Sequence, residues 1–281
     1  MILSRKIWPY KGIPLVERVS IRLPYRYETV FEEEGCFVFV KDLGSTVFSI
    51  DGTANVSANE AMLLKCGTYF VDWVKETSLT EVEVIAVHLN STVVQELYHD
   101  GIPDVRGEQS DLQQVKRILP NEVLYKFIES LEFYFDHPEL INDEILKLKI
   151  KELVLLLIQF GGGISVQQLL SDLLSPVEIS LKKIIKAHLY SNLTIEELAK
   201  LSGMSLSGFK RKFQTVFGTS PNQYLKEQRI KKACELLRNS SRNITEIAFE
   251  VGYNDPSYFT RIFKKVTGTT PMAYKLSLAM S

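Results

Sequence analysis

Ile195-Glu-Glu-Leu-Ala-Lys-Leu-Ser-Gly203, Met204-Ser-Leu-Ser-Gly-Phe209-Lys-Arg-Lys-Phe213 and Phe217-Gly-Thr-Ser-Pro221-Asn-Gln-Tyr224 form a block that the chain then repeats. The second copy reads Ile244-Thr-Glu-Ile-Ala-Phe-Glu-Val-Gly252, Tyr253-Asn-Asp-Pro-Ser-Tyr-Phe259-Thr-Arg-Ile-Phe263 and Thr267-Gly-Thr-Thr-Pro271-Met-Ala-Tyr274. The offset is 49 residues up to the glycine and 50 from the first phenylalanine, so one residue has been inserted in the turn. Self-similarity at a fixed period marks a repeated supersecondary unit.

Each shared position has a physical reason. Ile195, Leu198 and Leu201 fall on one helical face, as do Ile244, Ile247 and Val251. Ala199 and Ala248 are small where two helices must cross closely. Gly203 and Gly252 follow, where a sharp turn asks for positive φ. Ser205 and Asn254 are expected N-caps of the next helix. Phe209 with Phe213, and Phe259 with Phe263, are i,i+4 pairs that bury its back. Gly218 and Gly268 stop it, and Ser220-Pro221 and Thr270-Pro271 restart the chain with a cap and a proline in the first turn. Each copy therefore reads helix, tight turn, helix, stop, restart.

The second helix of each copy leaves its other side free. The first offers Ser207, Gly208, Lys210, Arg211 and Gln214; the second offers Pro256, Ser257, Tyr258, Thr260, Arg261, Lys264 and Lys265. A polar, basic face on that helix suits the DNA major groove. Between the copies, Tyr224 to Leu237 predicts one helix, with Leu225, Ile230, Ala233, Leu236 and Leu237 inward and Lys226, Arg229, Lys231 and Lys232 outward. Such a rod can hold two recognition helices about one DNA turn apart, roughly 34 Å. A helical solenoid is the alternative, but two repeats are too few for one.

Charge divides the chain the same way. Residues 181–281 hold 17 Lys+Arg against 7 Asp+Glu, and residues 1–180 hold 16 against 27. A basic segment beside an acidic one predicts that one half meets nucleic acid.

Working back toward the N-terminus, Ile13 to Leu89 reads as β. Cys36-Phe-Val-Phe-Val, Val47-Phe-Ser-Ile, Tyr69-Phe-Val-Asp-Trp and Val82-Glu-Val-Ile-Ala-Val are short, β-branched and aromatic, and separated by turn signals at Gly35, Gly44, Asp51-Gly52 and Gly67. This predicts a small antiparallel barrel or sandwich. Helices are expected over Asp111–Leu119, Asn121–Phe135 and Asn142–Phe160, the last with Ile145, Leu148, Leu153, Leu156 and Leu157 on its core face. Leu153 to Ile158 is nearly continuous in apolar residues, which predicts a second apolar face and a dimer contact. Gly161-Gly-Gly163 ends that helix, and a short amphipathic piece over Ile164–Leu174 leads to Ser175-Pro176. The domains are thus expected at 1–160 and 177–281, joined by a linker at 161–176.

Several chemistries are excluded at this level. The most apolar stretch, Leu153 to Phe160, is far shorter than the roughly 18 residues of a membrane span, and Met1 to Pro9 lacks the apolar core of a signal peptide. Cys36, Cys66 and Cys234 are odd in number and scattered, which suits a reducing cytoplasm and not a disulfide framework or a clustered zinc site. His88 is the only histidine of the β region, so no paired-histidine metal centre is expected; it reads as a core or pocket-wall residue. Cys36 and Cys66 read as packing residues. Phe37, Phe39, Tyr69, Phe70 and Trp73 either fill the core or line an effector pocket. Glu32-Glu-Glu34 either forms a solvated turn or meets a protein partner. No catalytic residue, metal or cofactor is expected, and the chain does not read as an enzyme.

The C-terminal segment resembles the AraC family of transcription regulators, most specifically over about Val177 to Lys275. The resemblance rests on Ala-x-x-x-Gly in both copies, on Phe259-Thr-Arg-Ile-Phe263-Lys, on the Gly-x-Ser/Thr-Pro-x-x-Tyr closings, and on Arg229-Ile-x-x-Ala233-x-x-Leu-Leu237. It implies an α+β chain: a cupin-like β-barrel with flanking helices, then an all-α domain of two helix-turn-helix units joined by a long helix. It implies a cytoplasmic homodimer that binds double-stranded DNA beside promoters, works with RNA polymerase, more often activates than represses, and is controlled through its first domain by a small effector or a regulatory protein. Carried over residue by residue, base contacts fall on Ser207, Gly208, Lys210, Arg211, Pro256, Ser257, Tyr258, Thr260 and Arg261, with Arg211 and Arg261 suited to bidentate guanine contacts. Gln214, Lys264 and Lys265 fall to the phosphates. Some AraC-type domains are fused to repair methyltransferases with a four-cysteine metal site, which three scattered cysteines do not match. Gly208 lies inside the first recognition helix at a cost of about 1 kcal/mol and has no side chain to read a base. Either that unit docks mainly on the backbone, or specificity rests on few side chains. A cupin-like sensor or enzyme and a protein-docking module are the competing classes; the lack of metal ligands and the basic C-terminal balance count against them.

Overall fold

The computed structural model describes residues 1–73, 79–98, 113–119, 121–160, 179–240 and 242–279. The chain separates into two units, Met1–Glu178 and Ile179–Ser281, each taken by itself below. The stop at Gly161, the amphipathic piece at 164–174 and the linker expected at 161–176 lie outside the described residues.

The first unit holds two antiparallel sheets. Strands β1 (Ile2–Tyr10), β2 (Ile13–Arg22), β9 (Glu81–Asn90), β4 (Glu34–Val40), β7 (Ala61–Leu64) and β10 (Val115–Ile118) form one, in the order β1-β2-β9-β4-β7-β10. Strands β3 (Tyr25–Phe31), β8 (Gly67–Trp73), β5 (Ser45–Ser49) and β6 (Gly52–Val56) form the other, in the order β3-β8-β5-β6. β4 shows why its sequence is continuously apolar. Cys36, Val38 and Val40 face the second sheet, while the alternate Phe37 and Phe39 join a core with the helices, so both faces are buried.

Those helices are α1 (Ser91–Leu97), α2 (Glu122–Asp136) and α3 (Asp143–Phe160). Asn121 caps α2 by accepting from the Leu124 amide. Phe127, Leu131 and Phe135 of α2 pack with Ile150, Leu153 and Leu157 of α3 against the sheet, and Trp8 stacks on Phe135 at 3.8 Å between ring centroids.

Three expectations are corrected here. The β region starts at Ile2, not Ile13; β1 is an edge strand whose Ser4-Arg5-Lys6 stretch stays in water, so its sequence lacks apolar alternation. The helix expected over Asp111–Leu119 is contradicted at Val115–Ile118, which pairs antiparallel with β7. Gln, Lys and Arg favour a helix there, but the free edge of β7 offers backbone partners, and tertiary pairing outweighs local propensity. In α3 the buried face is Leu146, Ile150, Leu153, Val154 and Leu157, whereas Leu148 is 64% exposed and Leu155 59%. Leu153 and Leu157 lie on the core face as expected and Leu156 packs at its margin, but Leu148 faces outward, because a run of apolar residues hides where the buried stripe ends.

The second unit is helical: α4 (Leu181–His188), α5 (Ile195–Leu201), α6 (Leu206–Phe217), α7 (Pro221–Asn239), α8 (Ile244–Glu250), α9 (Pro256–Thr267) and α10 (Pro271–Ala279). Helices α5 and α8 each open on a reciprocal capping box, Thr194 with Glu197 and Asn243 with Glu246. The duplication persists in the packing. Phe209 and Phe213 lie 5.7 Å apart, as do Phe259 and Phe263, and all four are fully buried. Tyr224 and Tyr274 close the two clusters edge-on at 5.7 and 5.6 Å from Phe213 and Phe263.

Candidate functional site

Every residue expected at the DNA lies on α6 or α9. Ser205 caps α6 as expected, accepting from the Gly208 amide at 3.2 Å. That bond places Gly208 in the first turn and not in the helix interior, where the propensity penalty would apply in full. The cap of α9 is Asp255, which accepts from Ser257 at 2.8 Å; the expectation of Asn254 is corrected. Pro256 is the first helical residue, so the cap must be the residue immediately before it.

Ser207, Lys210, Arg211 and Gln214 of α6 and Ser257, Tyr258, Arg261, Lys264 and Lys265 of α9 are exposed. Gly208, Pro256 and Thr260 are half-buried. The Thr260 hydroxyl donates to the Pro256 carbonyl at 2.9 Å, which commits its proton. The Arg261 guanidinium sits 5.2 Å from the Tyr258 ring centroid, a cation–π contact that preorders the arginine. No ion pair is formed by Lys210, Arg211, Arg261, Lys264 or Lys265 among the described residues, so their charge is available to an anionic partner.

Arg229 departs from expectation. It is not an outward charge of the connecting helix. Its Nε donates to the Leu189 carbonyl at 2.9 Å, one terminal nitrogen to Ser191 at 2.6 Å, and the other to Gly252 at 3.0 Å. Burial holds its pKa below the ordinary value, with Tyr253 acting in the opposite sense. The Leu189–Ser191 stretch follows α4 and leads into the first helix-turn-helix unit, whereas Gly252 is the turn of the second. One guanidinium therefore ties the entrance of the first helix-turn-helix to the turn of the second. The Arg229-Ile-x-x-Ala pattern pointed at this position, but periodicity alone could not distinguish a solvated arginine from one satisfied by carbonyls.

The first unit carries a polar cluster of its own. Glu17 accepts from Arg5, with 2.6 Å to the nearest terminal nitrogen; His88 Nδ1 is 3.2 Å from Glu34, and its Nε2 is 3.5 Å from Glu17. Burial alone would depress His88, but Glu17 and Glu34 outweigh it and raise its pKa to about 9. Burial would likewise raise Glu17, yet His88 and Arg5 hold it below the usual value. His88 contributes to stability in full below its unfolded value near 6.5, and that contribution fades as pH rises through about 9. The Glu17 contribution is present above its unfolded value near 4.5 and fades as pH falls below it. His88→Gln is expected to lower the unfolding temperature at pH 7 and to flatten its decline between pH 7 and 10; an unchanged alkaline decline would contradict the assignment.

His88 lines a cavity of about 290 Å³ between the two sheets. Of the five aromatic residues expected in the core or a pocket, only Trp73 lines this cavity; Phe37 and Phe39 face the helices. Cys36 is buried and its thiol is pushed well up by desolvation, which suits packing. Among the described residues no group of three His, Cys, Asp or Glu is placed to hold a metal ion, and no helix is long and apolar enough to cross a membrane.

Comparison with known proteins agrees with this geometry. Residues 198–277 match a helix-turn-helix domain family, and residues 35–164 match the ExsA N-terminal regulatory domain. The HTH-type transcriptional regulator ExsA of Pseudomonas aeruginosa is 26% identical over 247 residues, which cover 86% of each chain. The virulence regulon transcriptional activator VirF of Yersinia enterocolitica is 34% identical over 131 residues, 47% of this chain and 48% of that protein. Among solved structures, the C-terminal domain of the response regulator yesN from Fusobacterium nucleatum is 31% identical, covering 34% of this chain and 93% of that one with a TM-score of 0.32. With a regulatory domain matched in the first unit and paired helix-turn-helix elements in the second, the chain belongs to the AraC family and is a DNA-binding transcription regulator.

Proposed function

We propose that this chain is a sequence-specific transcription activator that reads two successive major-groove segments with α6 and α9. The observation that carries the reading is the pair of exposed cationic helix faces, each backed by its own fully buried phenylalanine pair. Helix α7, 19 residues and so roughly 28 Å long, is a rod of suitable length to space them. Ser207, Gly208, Lys210 and Arg211 of α6, and Pro256, Ser257, Tyr258, Thr260 and Arg261 of α9, meet base edges; Gln214, Lys264 and Lys265 meet phosphates. The named activity of VirF supports activation, and activation calls for RNA polymerase as a further partner. The exposed Leu148 and Leu155 of α3 support a homodimer, which would bring four recognition helices to a promoter-proximal site. A small effector or a regulatory protein acts on residues 1–160, in the cytoplasm, and the chain performs no catalysis.

The test is binding of the full chain to its own upstream DNA and to random DNA across a salt series. Tight, sequence-preferring binding with a steep salt slope is expected. Arg261→Ala should cost about 1–3 kcal/mol on the cognate site and relax preference at one base pair. Lys265→Ala should weaken all sequences alike and reduce the salt slope by about one. Equal losses on cognate and random DNA for Arg261→Ala would remove it from the base readers.

A further inference from the structure

We propose that the cavity between the two sheets of the first unit is a ligand site for a neutral, largely apolar small molecule bearing a hydrogen-bond-accepting oxygen, a lactone or ketone in class. The proposal rests on the reading of residues 1–160 as a regulatory domain and specifies what that domain senses.

Three independent features define the ligand. The first is shape and lining. The cavity, about 290 Å³, has walls built by Val38, Met62, Leu64, Val71, Val84 and Ala86, all buried. That volume is at the lower edge of small-molecule sites, roughly 300–1,000 Å³, and an apolar wall of this kind offers water few of the partners it needs.

The second feature is charge. The charged part of the lining consists of Arg5, Glu17, Glu34 and His88, beside the neutral Tyr27 and Thr29. Two carboxylates face two cationic groups, already paired with each other through Arg5–Glu17, His88–Glu17 and His88–Glu34. A ligand carboxylate would enter beside Glu17 and Glu34, and a ligand ammonium beside Arg5 and His88. Either would add a desolvated charge to a set that is balanced without it. A neutral molecule adds none.

The third feature is a donor without an acceptor. Trp73, 4% exposed, lines the cavity, and its indole Nε1 has no hydrogen-bond partner among the described residues. An indole N–H can only donate, so the group that completes it must be an acceptor. An oxygen on an otherwise apolar body meets the wall and the donor together.

The probes are γ-decalactone, decanoate and decylamine, which share ten carbons and differ in head charge. The protein has two tryptophans, and Trp8 lies in the separate helix-facing core against Phe135, so the full-length Trp8→Phe variant reports Trp73 fluorescence alone. Saturable change is expected with γ-decalactone at a concentration about tenfold or more below that needed for either charged probe. Ala86→Phe, which fills the cavity from β9, should abolish the thermal shift produced by the lactone. Trp73→Phe, a milder change, should weaken that shift's half-saturation by about three- to tenfold, the loss of one hydrogen bond. Equal binding of decanoate or decylamine, saturation by none of the three, or an undiminished lactone response in Trp73→Phe would each overturn the proposal. DNA binding measured on the same preparations separates the two readings: sequence-preferring DNA binding with no lactone response overturns the ligand and leaves the regulator intact.

Discussion

Gly252→Ala is expected to destabilise the C-terminal unit by about 3–5 kcal/mol, whereas Gly203→Ala, at the matching position of the first repeat, should cost only about 1–2. Both glycines have positive φ, +84° and +63°, so each alanine carries the left-handed penalty. They differ in surroundings. A Cβ at Gly203 meets nothing within 4 Å, but at Gly252 it would stand 2.6 Å from the Tyr190 carbonyl oxygen and 3.0 Å from that of Ser191. Those are backbone atoms, which cannot swing aside as the end of a side chain would. Urea unfolding of the full chain, followed by helical signal, checks the pair. Equal losses would show that only φ matters and that the contact with Tyr190 does not.

Arg229→Met should cost about 3 kcal/mol and, beyond stability, blur the preferred distance between DNA half-sites. The substitution keeps much of the aliphatic packing but leaves the carbonyls of Leu189, Ser191 and Gly252 without their donors, at about 1–3 kcal/mol for each one that water does not reach. Arg229→Lys retains the charge but not the planar fork, so it should fall between the two. The functional readout is binding to sites whose halves are moved apart by one or two base pairs. The native chain should lose affinity steeply, and the methionine variant less so, because the tie between the two helix-turn-helix elements is gone. An unchanged spacing profile with lowered stability would reduce Arg229 to a folding residue. Arg229 and Gly252 act on the same Leu189–Ser191 contact, so the double variant should be less destabilised than the sum of the two.

The extent to which the fold was legible differs between the halves for physical reasons. In the C-terminal unit, local rules and tertiary packing agree. The turn glycines, the serine and threonine caps before Pro221 and Pro271, and the i,i+4 phenylalanine pairs each specify the same structure, and duplication states it twice. In the N-terminal unit the two disagree at the sheet edges. β1 is too polar and β10 too helix-prone to read as strands, since what makes them strands is the neighbour whose backbone they complete. The candidate DNA face was legible because exposure follows from helical geometry once the phenylalanines mark the buried side.

The sequence by itself thus determined a duplicated helix-turn-helix, its two basic faces and a β-rich first domain, because periodicity, capping and turn chemistry act within a dozen residues. Only the tertiary structure decided that Arg229 turns inward to three carbonyls, that Gly252 but not Gly203 is closed in by the backbone of Tyr190, and that His88 lies between two glutamates at a cavity. Each of those depends on groups brought together from distant parts of the chain, such as Glu17, Glu34 and His88, whose contacts no local pattern encodes.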